Sequence, residues 1–343
     1  MKSLSQKEGD TLNISDFAKI AGVSKSAVSR YFNDGYLSND KREKIEQAIE
    51  KTGYSPSLSA RSVRTRVTKL VGVILPKLSS ESAARVTEGI SSVLSEYGYE
   101  LLLVTTSNNY HKEIESLELF RQNRVDGVIL LSTVFTDLHK TVLNKMRVPV
   151  ILVGQNLKGY NCVCHDDFGA SKSLTKLMLD KGAVEPAYIG VDPEDKAAGE
   201  ARRKGFEKAV SEAGLTLKKE FIEIAEFNID SGYEKARHLL SHRSKPDCIF
   251  CATDSIAAGA MLYCRESGLR IPEDIMIAAV GDSKIGKIAA VPITTAHLHY
   301  KTAGSEAAKM LLSAIKQPDL IPRILQLDFY IIERRSTEKS ETV

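Results

Sequence analysis

The sequence lacks the usual marks of membrane and secreted proteins. No long uncharged apolar run occurs in its 343 residues, which excludes a transmembrane helix and gives no reason to expect a membrane partner. The N-terminal stretch MKSLSQKEGD is polar and has no apolar centre, so we expect no secretory signal. Only five cysteines occur, and in a chain of this length they are typical of free, buried thiols in a reducing compartment. The composition therefore predicts a cytoplasmic protein, associated with the nucleoid if its partner is DNA.

Motifs for catalysis, metals and cofactors are also missing or incomplete. Residues 281–287, GDSKIGK, approach the nucleotide-binding loop, but the next residue is Ile288, which has no hydroxyl for magnesium. Neither a dinucleotide-binding Gly-x-Gly nor a Gly-x-Ser-x-Gly nucleophile elbow occurs. Close pairs of possible zinc ligands lack further partners: Cys162 and Cys164, Cys248 and Cys251, His238 and His242, His297 and His299. We expect no enzymatic activity, no cofactor and no metal.

Positive charge is concentrated near the N-terminus. Residues 1–69 contain 13 lysines and arginines against 8 acidic residues, whereas the formal net charge of the whole chain is +3. The remainder of the chain therefore carries about −2. A basic N-terminal segment on a mildly acidic body favours a polyanionic partner at that end.

The start of the chain has the pattern of a helix-turn-helix. Apolar residues repeat at helical spacing over 14–21, with Asn13 or Ser15 available as the N-cap. Gly22 interrupts this pattern, and a second apolar stripe follows behind Ser24, another N-cap candidate. Two short helices joined by a turn of about three or four residues around a glycine are typical of this DNA-binding motif.

Two further helices are predicted after this motif. The first has its N-cap at Ser38 or Asp40 and ends at Gly53. Residues 54–66, YSPSLSARSVRTR, contain three arginines and no acidic residue. A helix over 57–64 would be too short to be stable alone. A basic helix that folds only against a partner suits the minor groove of DNA, and a flexible linker is the alternative.

The polar face of the second predicted helix suits the reading of DNA. In a helix-turn-helix this helix lies in the major groove and its N-terminal residues contact base edges. Lys25, Ser26 and Arg30 lie on that face, and arginine can form two hydrogen bonds with guanine. Further polar residues suit phosphate contacts that fix the register: Ser24, Ser29 and Asn33. The alternative is a small three-helix domain with an ordinary hydrated face.

The segment GVSKSAVSRYFN, followed by Y-S-P-S-x-x-A-R-S-V, resembles the lactose-repressor/galactose-repressor (LacI/GalR) family of bacterial transcription regulators. The resemblance covers residues 12–334 and implies a homodimer on a pseudo-palindromic operator, with two 57–64 helices meeting in the minor groove. It implies DNA contacts for Ser24, Lys25, Ser26, Ser29, Arg30, Asn33, Tyr36, Ser57, Ala60, Arg61 and Val63. Val63 stands where the family usually has a leucine wedged between base pairs. Because valine is shorter and β-branched, we expect a shallower or less stable kink.

From residue 69 onward, apolar runs of strand length alternate with helical stretches. Eight such runs occur, at 69–75, 99–105, 125–131, 148–154, 185–191, 221–227, 246–252 and 275–281. Continuous apolar strands between amphipathic helices favour parallel sheets covered on both faces. Eight units exceed one core, so we predict two doubly wound α/β lobes, as in periplasmic sugar-binding proteins. We expect the chain to pass between the lobes near 163–166, 295–298 and 326–329.

The predicted organisation has three parts. An all-α helix-turn-helix domain covers residues 12–55, a hinge helix or linker covers 56–68, and a two-lobed effector-binding and dimerisation domain covers 69–335. Ligands of open α/β sheets bind beyond the carboxyl ends of the strands, so we expect an effector between the lobes.

Polar residues after the predicted strands are candidate effector contacts. The candidates are Lys77, Ser79, Gln155, Asp192, Arg202, Asp254 and Asp282. By the family resemblance, Arg202 lies where the family typically pairs with its effector, and Asp254 and Asp282 lie where it binds sugar hydroxyls. A helix-capping role is the alternative for Asp254.

Segments such as KLVGVILPKLSSESA and IGVDPEDKAAGEARRKGF look most like repressors of sucrose or trehalose operons. Phosphotransferase uptake delivers such sugars phosphorylated, and Lys77 would pair with the phosphate of a disaccharide 6-phosphate. An unphosphorylated disaccharide or a monosaccharide phosphate are alternatives. We therefore predict a repressor of a sugar-utilisation operon that a sugar or sugar phosphate releases. The alternatives are a corepressor ligand, as in purine-sensing relatives, or a cytoplasmic sugar-binding module or enzyme with a basic arm.

Overall fold

The computed structural model describes residues 12–32, 35–54 and 67–338, and it divides the chain into two compact units between Thr68 and Lys69. The predicted helix over 57–64 lies outside the described residues, as do five of the predicted DNA contacts: Asn33, Ser57, Ala60, Arg61 and Val63. The two units are described separately below.

The first unit contains the three predicted N-terminal helices. They are α1 (Ile14–Ile20), α2 (Lys25–Tyr31) and α3 (Asn39–Thr52). The side chain of Asn13 caps α1, and that of Ser24 caps α2. Ser38 occupies the N-cap position of α3 without a side-chain hydrogen bond. Gly53 ends α3 at φ 64°, a left-handed conformation that glycine adopts at little cost.

A small aromatic and aliphatic core holds these helices together. Phe17, Val28 and Ile45, one from each helix, are fully buried. The ring of Tyr54 stacks on that of Phe17, with centroids 4.1 Å apart. Tyr54, the second residue after α3, therefore closes the core of the unit.

The second unit alternates strands and helices. Its first part contains β1 (Leu70–Leu75), α4 (Glu81–Glu96), β2 (Glu100–Thr105), α5 (Tyr110–Gln122), β3 (Gly127–Leu131), α6 (Asp137–Leu143), β4 (Val150–Val153) and β5 (Asn161–His165). Its second part contains α7 (Asp167–Asp180), β6 (Pro186–Gly190), α8 (Arg202–Glu212), β7 (Ile222–Ile224), α9 (Ile229–Ser241), β8 (Cys248–Cys251), α10 (Asp254–Glu266), β9 (Met276–Val280), α11 (Lys284–Ile288) and β10 (Thr294–Leu298). The last elements are α12 (Tyr300–Lys316), β11 (Ile324–Leu327) and β12 (Phe329–Ile332).

Two six-stranded sheets form two lobes, as predicted. The first sheet has the order β11-β5-β4-β3-β1-β2, and all its strands are parallel. The second has the order β12-β10-β9-β8-β6-β7, and only its edge strand β12 is antiparallel. The strands of the centre are buried on both faces, because helices cover both sides of each sheet.

The chain crosses between the lobes three times, at the predicted places. It leaves the first sheet after β5, returns after β10 through α12, and crosses again between β11 and β12. Helix α12 packs on the first lobe, where Ala303 and Leu311 join the core that contains Val71 and Ile129. The four strands next to these crossings were not among the eight apolar runs.

Glycine allows α12 to lie directly on α4. A Cβ atom on Gly304 would lie 1.9 Å from the carbonyl oxygen of Val86, and one on Gly89 would lie 2.0 Å from that of Lys301. The backbones of the two helices are therefore in contact. This contact secures the crossover helix to the first lobe.

We predict that Gly304→Ala lowers the free energy of unfolding of the second unit by about 2 kcal/mol or more. The added methyl group must separate α4 and α12, and such overpacking outweighs the roughly 1 kcal/mol gain in helix propensity. Urea unfolding followed by far-UV circular dichroism measures the change. Lys309→Ala, at an exposed position of the same helix, should stay within about 0.5 kcal/mol of the unsubstituted protein. Equal stability of the two variants would contradict the close contact.

Candidate functional site

Helix α2 presents a polar surface to solvent in the first unit. Ser24, Lys25, Ser26 and Arg30 are exposed, Ser29 is half-buried, and Tyr36 is 90% exposed. Lys25 and Arg30 make no ion pair or side-chain hydrogen bond with any described residue. These cations are therefore available to a partner.

The opposite face of α2 fixes the orientation of this surface. Ala27 and Val28 are buried in the core. The Ser24 hydroxyl accepts a hydrogen bond from the Ala27 amide at 3.2 Å and lies 2.9 Å from the Ser26 hydroxyl. A short helix that is capped and packed in this way presents its polar side chains in one arrangement, as major-groove reading requires.

A cleft between the two lobes forms the second candidate site. Its volume is about 400 Å³, within the range of small-molecule pockets. Its lining comes from the carboxyl ends of strands in both sheets and from the loops that follow them. Five of the predicted effector residues line it: Lys77, Ser79, Gln155, Arg202 and Asp254. Asp192 and Asp282 are not part of the lining.

Lys77 places a positively charged group in the cleft, on the side of the first lobe. It follows β1, and its ammonium group makes no ion pair or hydrogen bond with any described residue. Ser79 and Ser80 lie beside it, and the Ser80 side chain caps the N-terminus of α4. The amide groups and positive dipole end of α4 add to the attraction for an anion at this side of the cleft.

Arg202 lies at the floor of the cleft, 5% exposed, and is already paired. Its Nε and Nη2 atoms lie 2.8 and 2.7 Å from Oδ1 of Asp167, and its Nη1 donates to the carbonyl oxygen of Ala252. Burial alone would lower the pKa of Arg202, but the Asp167 carboxylate outweighs it and the pKa is raised. The guanidinium therefore stays charged.

Asp195, which the sequence interpretation missed, lies in the cleft where Asp192 was expected. Its carboxylate accepts from the amides of Ala197 and Ala198 at 3.0 Å and from Nε2 of Gln155 at 3.2 Å. Burial raises its pKa to about 6. Asp192 is exposed, and its side chain accepts from the Glu194 amide at 2.9 Å. Both aspartates lie in VDPED, and the one that precedes a helical turn was the better candidate.

The Asp254 side chain is hydrogen-bonded to residues of its own lobe. Its carboxylate accepts from the Ser283 amide and from the Thr295 hydroxyl, the latter at 2.9 Å. Burial raises its pKa. The N-cap of α10 is Thr253, so the capping alternative for Asp254 does not describe its side chain.

Asp282 is directed to two cations and a histidine outside the cleft lining. Its carboxylate contacts Arg334, His297 at 2.9 Å and Lys287 at 3.1 Å. Burial would raise its pKa, but these three partners outweigh burial and lower it. Its backbone has φ 50°, which is uncommon for a residue other than glycine.

Several contacts join the two lobes directly across the cleft. The Gln155 side chain of the first lobe donates to Asp195 of the second. Nη1 of Arg85 donates to the Gly281 carbonyl oxygen at 3.1 Å, and Oε2 of Glu81 accepts from the Lys284 amide at 2.9 Å. Because both sides contribute, a change in the separation of the lobes must break or remake these bonds.

Other residues that line the cleft belong to no recognisable sequence motif. The Arg85 guanidinium lies 5.4 Å from the centre of the Tyr300 ring, and the His165 ring packs edge-on against Tyr300 at 5.1 Å. Burial lowers the pKa of His165 and raises that of Tyr300. Phe227 adds an aromatic face from the second lobe. His165 and Tyr300 lie at the crossovers, whereas Arg85 lies in α4 and Phe227 in the loop after β7, and only the fold brings the four together.

The described ranges contain no group of three or more His, Cys, Asp or Glu side chains arranged to hold a metal ion. The five cysteines are buried. Within the same ranges, every helix is too short or too polar to cross a membrane.

We predict that Asp195→Asn raises stability at neutral pH but not in acid. The folded pKa of about 6 exceeds the ordinary value of 3.8, so the native state binds more protons between these values and loses stability as pH rises through them. Asparagine keeps an oxygen for the two amides and cannot ionise. The free energy of unfolding at pH 7.5 should increase by about 1–3 kcal/mol, with no gain near pH 4.

Urea unfolding at both pH values measures this effect. Asp192→Asn, three residues away and exposed, is the matched control and should change stability at neither pH. A gain of the same size at pH 4 and pH 7.5 would contradict the raised pKa of Asp195.

Two protein-family models match parts of this chain. Residues 13–57 match "Bacterial regulatory proteins, lacI family", and residues 175–337 match "Periplasmic binding protein-like domain". The sucrose operon repressor of Staphylococcus xylosus is 33% identical, over 91% of this chain and 97% of its own length. The HTH-type transcriptional regulator RegA of Clostridium saccharobutylicum is 31% identical, over 95% and 99%.

Two solved structures share the fold over nearly the whole chain. A Lac repressor dimer bound to operator and an anti-inducer has a TM-score of 0.86 at 20% identity, covering 96% of this chain and 99% of that one. The complex of the transcriptional regulator CelR with cellobiose has a TM-score of 0.74 at 26% identity, covering 95% and 99%. With its helix-turn-helix, its two-lobed ligand cleft and its relatives above 30% identity, this chain belongs to the lacI family of bacterial regulatory proteins and is a DNA-binding transcriptional regulator, not an enzyme.

Proposed function

We propose that the protein is a homodimeric repressor of a sugar-utilisation operon in the cytoplasm, released from its operator by a sugar or sugar phosphate in the interlobe cleft. The observation that carries this proposal is the composition of the cleft. A buried carboxylate at Asp195 and an unpaired cation at Lys77 lie on opposite lobes of one pocket. The sucrose operon repressor and the cellobiose-bound regulator among its relatives support a saccharide.

The cleft contains the groups that a saccharide needs. Asp195 and Asp254 offer carboxylate oxygens to hydroxyl donors, while Gln155 and the serine hydroxyls can both donate and accept. Phe227 and Tyr300 provide apolar faces for the C–H surfaces of a sugar ring. Polar groups at fixed positions beside these apolar faces would give orientation and specificity to a small ligand.

Lys77 favours a phosphorylated member of this class. A buried or half-buried ammonium group without a partner gains a charge-assisted bond when an anion arrives. The hydroxyl of Ser79 and the N-terminus of α4 lie on the same side of the cleft. We propose that the phosphate of a disaccharide 6-phosphate or a monosaccharide phosphate binds here.

We predict that Lys77→Gln weakens binding of sugar phosphates by about tenfold to a hundredfold, because a bond to a charged group contributes roughly 1.5–3 kcal/mol. Thermal shift with sucrose, trehalose, glucose and their 6-phosphates measures binding, since a ligand of the folded state raises the melting temperature. Lys112→Gln removes the same charge from an exposed position of α5 and should leave binding unchanged.

The outcomes separate the ligand classes. A shift with unphosphorylated sugars that Lys77→Gln does not alter would remove the phosphate from the proposal. The absence of any shift with all these compounds would contradict the saccharide effector itself.

Exposed apolar residues on the sheet edges support a dimer. Leu102 and Leu103 are 41% and 46% exposed on β2, the edge of the first sheet, and Ile224 is exposed on β7, the edge of the second. Edge strands with exposed apolar side chains normally need a cover. We propose that a second copy of the chain supplies it, and a twofold dimer would read a pseudo-palindromic operator.

Switching would follow from the contacts that join the lobes. A ligand that favours one separation of the lobes over another shifts that equilibrium by its difference in affinity, typically about 1–3 kcal/mol. We propose that the effector weakens operator binding. A ligand that strengthened operator binding would instead be a corepressor, and titration of operator with and without ligand distinguishes the two.

We predict that Arg30→Ala lowers affinity for the operator by about 1–3 kcal/mol while changing affinity for random duplex much less, because the arginine would be lost from a base edge. The operator is first obtained by selection from a random duplex library, which should return a pseudo-palindrome. Lys51→Ala removes one exposed positive charge from α3 and is the control. Fluorescence anisotropy at several salt concentrations measures both affinities.

Steep loss of affinity with rising salt is expected, because DNA contacts release counterions. Equal loss on operator and random duplex in Arg30→Ala would contradict base reading by α2. A selected site without twofold symmetry would contradict the dimer. Effector binding should be unchanged in Arg30→Ala, since this residue belongs to the other unit.

A further inference from the structure

Five exposed cations lie at one edge of the first lobe. Each lies in a segment that leads into a strand of the first sheet: Arg124 before β3, Lys145 and Arg147 before β4, Lys158 before β5 and Arg323 before β11. The strands are parallel and adjacent in the order β11-β5-β4-β3, so their starts are aligned. The five cations form what we term the amino-edge surface.

The amino-edge surface has few compensating charges. None of its five side chains makes an ion pair or hydrogen bond with a described residue. Only two acidic residues lie in the same segments, Asp126 and Asp319, although the chain after Lys69 is slightly acidic as a whole. Positive charge is therefore collected at this edge rather than spread over the lobe.

The corresponding edge of the second lobe is balanced. The segments before β6, β7, β8 and β9 contain six cations, Lys181, Lys218, Lys219, Arg243, Lys245 and Arg270, and five acidic residues, Glu185, Glu220, Asp247, Glu273 and Asp274. Three of these cations form ion pairs, Lys181 with Glu333, Lys218 with Glu185 and Arg270 with Asp274. The two lobes share a fold, so the fold alone does not require a basic edge.

Compensation of helix dipoles does not explain the amino-edge surface. Cations are favourable just after the C-terminus of a helix, where Arg124 and Lys145 lie. Lys158 follows a strand, however, and Arg323 lies seven residues beyond the end of α12. Helices also end at the same edge of the second lobe, where the charge is balanced. The amino-edge surface is thus better explained by an external anion.

The path of the chain indicates which anion. β1 starts at Leu70, so the polypeptide from the helix-turn-helix unit enters the first lobe at this edge. The ligand cleft lies at the opposite, carboxyl edge of the same sheet. Four adjacent strands span roughly 15 Å at 4.7–4.9 Å spacing, which is about the length of four base pairs of DNA.

We propose that the amino-edge surface binds phosphates of the DNA backbone. These contacts add affinity without sequence preference, because they touch no bases. The sensor domain thereby contributes to DNA binding directly, in addition to controlling it. The proposal rests on operator binding by the helix-turn-helix and adds a second contact to it.

The test compares two triple variants of the full chain. Arg124→Gln with Arg147→Gln and Lys158→Gln removes three charges from the amino-edge surface. Lys219→Gln with Arg243→Gln and Lys245→Gln removes three exposed, unpaired charges from the edge of the second lobe. Affinity for the selected operator and for random duplex is measured by anisotropy between 50 and about 300 mM salt, the range in which counterion release dominates.

We expect the first variant to bind both DNAs about tenfold more weakly near 0.1 M salt, with the slope of log affinity against log salt reduced by about 1–3. The ratio of operator to random affinity and the effector-induced shift in melting temperature should not change. The second variant should retain the affinity and slope of the unsubstituted protein.

The proposal is overturned if the first variant keeps its affinity and slope, or if the second variant loses as much, which would indicate an effect of net charge only. Failure of the unsubstituted protein to bind DNA would contradict the proposed function rather than this surface. If the first triple variant has a lowered melting temperature, the single substitutions Arg124→Gln and Lys158→Gln replace it. Their slopes of log affinity against log salt then test the proposal.

Discussion

The buried ion pair between Arg202 and Asp167 is the interaction on which the second unit depends most. Asp167 begins α7, directly after the first crossover, and Arg202 begins α8; the guanidinium also bonds to the carbonyl of Ala252 after β8. Both charges are nearly inaccessible to water, and an unpaired charge there would cost several kcal/mol. The pair therefore fixes three elements of the second lobe at the point where the chain enters it. Every other contact of the cleft is positioned relative to this floor.

The hydrogen bonds between the two lobes are individually weaker than this ion pair. The bond of Gln155 with Asp195 is buried, that of Arg85 with Gly281 is partly buried, and that of Glu81 with Lys284 is exposed. Each is worth about 0.5–1.5 kcal/mol net, or more where a charged group takes part. A small ligand can offset or replace such bonds, whereas it cannot disturb the Arg202 pair. We therefore expect a change in the separation of the lobes to move each lobe as a body, with the three crossovers as hinges. Burial removes water from the Asp195 carboxylate and raises its pKa. Hydroxyl groups of a ligand would donate hydrogen bonds to this carboxylate in place of water and so stabilise its charged form.

Much of this architecture could be predicted from the sequence, and the remainder has physical reasons. Continuous apolar runs identified the buried strands, because a parallel sheet covered on both faces leaves no room for polar alternation. Strands β10 to β12 were harder, since they border the crossovers and carry polar or exposed residues such as Thr294, His297 and Ile324. Among site residues, position after a strand identified Lys77 and Gln155 but selected Asp192 in place of Asp195. Side-chain direction in a tight turn decides between them. Asp282 was placed in the cleft by the same rule, yet Arg334 and His297 draw its carboxylate away, and no local pattern reveals partners that distant in sequence.

The two edges of the first sheet carry different side chains. Parallel strands place all carboxyl ends together, where loops and helix N-termini collect polar side chains suited to a small ligand. The same geometry places all amino ends together, and there this chain collects cations without partners. We expect a displacement of one lobe against the other at the carboxyl edge to reach the amino edge, since a close-packed sheet does not deform continuously. If the amino edge also contacts DNA, the sheet itself couples the ligand to the operator, and the segment that joins the two units is not the only path by which the signal reaches DNA.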